Sequence, residues 1–87
     1  MERKELRNLG FKELPHFTIM HSLTYDIGRN RHISIGGLGT ENEIVFLCQV
    51  DPGNDKVISD LICLHNYDYD GLITKEKINL LLKYFKQ

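Results

Sequence analysis

The sequence predicts an α+β fold: a short N-terminal helix, a three-stranded antiparallel β-meander and two C-terminal helices packed on the sheet. Three observations carry this reading. Residues 17–27 alternate from face to face with period two, two hairpin-length turns follow, and the C-terminal part of the chain switches to helical spacing.

Taken in order, residues 2–9 form the first helix, with Leu6 and Leu9 three apart and Gly10 placed to end it. In the first strand Phe17, Ile19, His21, Leu23, Tyr25 and Ile27 share one face, so His21 is expected to be buried or edge-protected. "GRN" makes a turn, and "RHISIGGL" returns with Ile33 and Ile35 on one face. "GTENE" makes the second turn before "IVFLCQV", a strand apolar on both faces. As the last strand of the meander, residues 44–50 would form a sheet edge without lysine, proline or glycine to guard it. Either a helix covers that strand or a partner joins it: another protein, or a second copy in a homodimer through edge 44–50. "DPGND" ends the strand and offers Asp51 or Asn54 as the cap of a helix, whose stripe is Val57, Ile58, Leu61, Ile62 and Leu64. Ile78, Leu81, Leu82 and Phe85 mark the last helix, with Lys75, Lys77, Lys83 and Lys86 off its apolar stripe.

Size and composition narrow the function. Eighty-seven residues, 41% hydrophobic and 26% charged, describe a single domain over 1–87 with no linker or repeat. A chain of this length buries a core but encloses no deep cavity. The net charge of −1 argues against non-specific nucleic-acid binding, which draws its affinity largely from phosphate neutralisation, and leaves room for a local patch. No apolar run is long enough to span a bilayer, and the charged start "MERKELRNLGFKEL" is no signal peptide. Cys48 and Cys63 sit within apolar runs as free thiols, so the chain is expected to be cytoplasmic.

The one stretch that looks like chemistry is "NYDYDGLITKEK", residues 66–77. Asn66, Asp68 and Asp70 place oxygens two residues apart, Gly71 allows a sharp turn, and Thr74 adds a hydroxyl before a helical tail. Residues 57–85 resemble an EF-hand, and the loop with its exit helix is similar to a dockerin repeat. The resemblance implies a helix–loop–helix in which Asn66, Asp68 and Asp70 take loop positions one, three and five. Gly71 takes the sixth, Leu72 offers its carbonyl at seven, Ile73 supplies the apolar eighth residue and Thr74 the ninth. The departure is at position twelve, where Lys77 replaces the bidentate carboxylate. Glu76 is no substitute, because one helical step turns its side chain by about 100°. The expectation is a loop that keeps the shape without its ion. No cofactor is implied beyond weak calcium.

Other constellations are incomplete. Cys63 and His65 lack a second pair for structural zinc. "HNYDYDG" after a hairpin is similar to the ββα-metal nucleases, which implies a histidine base beside a metal, but the following helix offers only Asn79 as a further ligand. The glycine-rich "IGGLG" opens no helix and so is no phosphate loop. Arg29, Arg31 and His32 concentrate at one hairpin tip, a candidate anion or partner contact. Tyr67 and Tyr69 beside aspartates form a candidate protein contact. The expected function is therefore a small non-catalytic protein-binding module of regulator, adaptor or inhibitor type. The alternatives are a calcium-binding protein using the 66–77 loop and a small metal-dependent nuclease or nucleic-acid binder.

Overall fold

The computed structural model describes residues 1–13, 23–51, 53, 58 and 61–86. Its elements in chain order are α1 (Arg3–Leu9), β1 (Leu23–Gly28), β2 (Arg31–Gly36), β3 (Ile44–Gln49), β4 (Ile62–Asn66), α2 (Tyr67–Asp70) and α3 (Lys75–Phe85). The fold is α+β, with the four strands in one antiparallel sheet of order β1-β2-β3-β4.

Helix α1 ends where the sequence places its stop. Gly10 has φ 109°, its N–H donates to the Arg7 carbonyl at 3.0 Å, and the Phe11 N–H donates to the Leu6 carbonyl at 3.1 Å. This is a Schellman closure, and the same turn drops Leu6 and Phe11 together into the core. A Cβ on Gly10 would stand 2.9 Å from the Tyr25 ring, so the glycine also lets α1 approach β1. Beyond it, Lys12 exchanges two backbone hydrogen bonds with Thr24, at 2.7 and 2.8 Å, which blunts the outer side of β1.

The β1–β2 connection turns on Arg29 and Asn30, both left-handed at φ 57° and 61°. Two positive φ values identify the hairpin turn whose twist matches its strands. Across the sheet Leu23 opposes Ile35, Ile35 opposes Val45, and Val45 opposes His65. That row faces Leu6 and Phe11, together with Ile73, Ile78 and Leu82 from the C-terminal segment. Phe46, Cys48 and Val50 form a separate buried cluster on the opposite face, each 2% exposed.

Three expectations are corrected here. The sheet has four strands, not three, because Ile62–Asn66 is β4 where a helix through Leu64 was expected. Strand β3 is therefore interior, hydrogen-bonded to β2 on one side and β4 on the other, and residues 44–50 are not an open edge. A strand buried on both faces and paired on both sides reads as a continuous apolar run, which is why "IVFLCQV" lacks guards. Finally, the two C-terminal helices are the single turn α2 and the longer α3. The expected strand residues 17–22, His21 among them, and the expected helix start at 54–57 lie outside the described residues.

Candidate functional site

Between β4 and α3 lies a groove of about 580 Å³, lined by Leu64, His65, Asp70, Ile73, Lys77, Leu80, Leu81, Lys83 and Tyr84. Helix α3 forms one wall because Thr74 caps it, its side chain accepting the Lys77 N–H at 3.3 Å. Ile78 and Leu82 face the core, which leaves Leu80 and Tyr84, four apart, on an exposed row at 67% and 71%. The other wall is β4. Its ladder with β3 shifts register, since Val45 opposes His65 while Phe46 opposes Cys63, and the extra residue is Leu64. A bulge of this kind re-aims a side chain, and Leu64 lines the groove and packs on the main core.

Two of the lining residues, His65 and Ile73, meet a buried carboxylate behind the groove. Glu43, with its side chain fully buried, accepts the Gly39 N–H on Oε2 at 3.0 Å and the Ile73 N–H on Oε1. It thereby ties the 37–43 turn to the segment between α2 and α3. His65, 4% exposed, lies with Nε2 2.7 Å from the Gly71 carbonyl and 3.8 Å from Glu43 Oε1. Backbone bonds add to the tie, with the Tyr67 N–H donating to the Glu43 carbonyl at 3.1 Å. A buried carboxylate is tolerated when its oxygens meet fixed donors, as here.

Glu43 is the residue that sequence reasoning missed. The one signal was its phase: it sits two before Val45 and four before Leu47, on the core-facing side of β3.

The 66–77 loop follows a strand, not the helix that the EF-hand resemblance implies. Asn66 caps α2, its Oδ1 accepting the Asp68 N–H at 2.9 Å, while Asp70 Oδ2 accepts the Asn66 N–H at 3.2 Å. These reciprocal bonds spend on backbone capping the oxygens that calcium would use. Thr74 is likewise spent on α3, and Leu72 is exposed. Lys77 Nζ donates to the Asp70 carbonyl at 2.8 Å, which places a cation against the loop. Among the described residues no group of three or more His, Cys, Asp and Glu side chains could hold a metal.

The hairpin-tip candidates do not converge. Arg29 is exposed in the turn, while Arg31 and His32 are successive residues of β2 and so point to opposite faces. His32 stands opposite Asp26 in the register. Of the two tyrosines, Tyr67 is half-buried and Tyr69 stands out at 88% exposed. Cys63 is exposed on β4, its thiol 3.5 Å from the His65 carbonyl, and Cys48 is buried. No protein-family model, curated protein or solved structure matches the chain.

Proposed function

We propose that the chain is a non-catalytic protein-binding module and that its partner docks in the groove between β4 and α3. The observation that carries this is the pairing of exposed Leu80 and Tyr84 with a basic rim of Lys77 and Lys83 over an apolar floor. Exposed aromatic and aliphatic anchors around a concave site are what protein interfaces use for affinity, and flanking charge supplies selectivity. The titratable groups at and behind the groove support binding over catalysis, since His65 and Glu43 are committed to backbone partners. The calcium reading of residues 66–77 has less behind it, because Asn66 and Asp70 cap α2 and Lys77 approaches the Asp70 carbonyl.

The test is a selection of peptide ligands on the intact chain, followed by affinity measurements with surface variants. Leu80→Asp and Tyr84→Ala should each weaken the selected ligands by about tenfold or more. Tyr69→Ala and Arg29→Ala, away from the groove, should leave affinity unchanged. Ligands that ignore Leu80→Asp and Tyr84→Ala but are lost with Tyr69→Ala would move the working surface to the tyrosine loop.

A further inference from the structure

The outer wall of the groove is an outer strand of the sheet. Among the described residues no strand lies beyond β4, whereas the opposite side of the sheet is blunted by the Lys12–Thr24 bridge. Strand β4, Ile62–Asn66, contains no lysine, proline or glycine, and the guard that it does carry is a bulge. Its single irregularity, the bulge at Leu64, turns that side chain toward the groove. Ile62, opposite Leu47 and hence on the groove side of the sheet, is 56% exposed and prolongs the apolar strip along the strand.

The charge of the site selects the occupant. Lys83 has no acidic partner among the described residues, and Lys77 is bound to a neutral carbonyl. Among the described residues Asp70 is the groove's one carboxylate, and it already accepts the Asn66 N–H. Strand β4 itself has no aspartate or glutamate, so a second copy's β4 would lay no acid within the paired strand.

We infer that the occupant is an extended, acid-bearing segment of another protein that adds to β4 as a fifth strand. This rests on the groove reading above and names the partner class for it. Side chains on one face of a strand recur every two residues, about 6.8 Å. An apolar residue facing Leu64, Leu80 and Tyr84, with aspartate or glutamate two positions away on the same face, therefore sets an acid beside the apolar strip and toward the lysine rim. Backbone hydrogen bonds to β4 supply affinity, and this apolar–x–acidic spacing supplies selectivity.

The experiment uses a displayed library of random twelve-residue peptides, selected on the intact chain. Winners should carry the apolar–x–acidic spacing and slow amide exchange of outward-facing N–H groups within residues 62–66. Lys83→Glu should weaken them by about fivefold or more, since attraction becomes repulsion. N-methylation of alternate residues of a winning peptide should abolish binding, because it removes the donors that a new strand needs. Lys83→Glu and Leu80→Asp both replace exposed side chains, and unchanged thermal midpoints verify their fold. Winners that need Leu80 but leave the β4 amides unprotected, or tolerate N-methylation, would overturn strand addition and leave the groove reading intact. Winners indifferent to Leu80→Asp would overturn both. A dimer of the free chain that protects the same β4 amides would overturn the foreign partner in favour of self-pairing.

Discussion

Glu43 joins two segments that are far apart in sequence, since Ile73, whose N–H it accepts, lies thirty residues away. Removing a buried acceptor leaves its donors unpaired, which costs about 1–3 kcal/mol for each group. Glu43→Ala frees the buried Ile73 N–H and the partly buried Gly39 N–H and should destabilise the chain by about 2–3 kcal/mol in urea unfolding. Glu43→Gln keeps one acceptor oxygen and should cost about half that; no loss with glutamine would mean that a single oxygen carries the bonding. Cys48 gives a second prediction at this scale. Burial pushes its thiol up from the ordinary value of 9.0, only partly opposed by Ser34 and the His32 carbonyl. With the folded value above the unfolded one, its stabilising contribution is complete below the unfolded thiol's range. It is lost as pH rises through that range. Stability should therefore fall on the alkaline side of pH 9.0, and Cys48→Ala should flatten the fall. Under native conditions iodoacetamide should modify exposed Cys63 promptly and Cys48 only as the chain unfolds. Similar rates at both would contradict the burial.

Among the elements, those with strong local punctuation were legible in the sequence. Gly10 closes α1, period two marks β1 and β2, and the stripe of Ile78, Leu81, Leu82 and Phe85 marks α3. Strand β4 was not, because Val57, Ile58, Leu61, Ile62 and Leu64 fit helical spacing while Ile62–Asn66 also fits a short buried strand. What decides between them is distant: β3, apolar on both faces, needs a second neighbour, and residues 62–66 supply it. The groove was hidden for the same reason, since half its walls come from β4. Its lysines were visible as residues off the α3 stripe but had nothing to line. Glu43 was hidden because its donors are set by tertiary structure.

The β1–β2 turn supplies an element-scale prediction. Asn30 sits left-handed at φ 61°, a position where this turn type favours glycine. Asn30→Gly should stabilise the chain by about 0.5–1 kcal/mol, read as a raised thermal midpoint. A lowered midpoint would rule out the positive φ. The 66–77 loop supplies another. With Lys77 at the Asp70 carbonyl, calorimetry should find calcium no tighter than about millimolar. Lys77→Glu should strengthen it by removing the cation and adding two oxygens. A micromolar wild-type constant would contradict the capped geometry of Asn66 and Asp70.

At the scale of the whole molecule, one core joins α1, the sheet and α3, and the groove opens where α3 meets β4, the outermost strand among the described residues. The interior place of β3 moves the question of association away from residues 44–50 and onto β4. Among the described residues no helix is long and apolar enough to cross a membrane. The working surface in this account is the strip from Ile62 across Leu64 to Leu80 and Tyr84, not the Arg29 turn or Tyr69. The most direct measurement is an amide ¹H–¹⁵N shift map of the chain titrated with a selected peptide ligand. The account predicts the largest changes, contiguous in space, at residues 62–65, at Ile73 and along 77–84. Largest changes at Arg29–His32, or at Tyr67–Tyr69 with residues 62–65 unmoved, would contradict it.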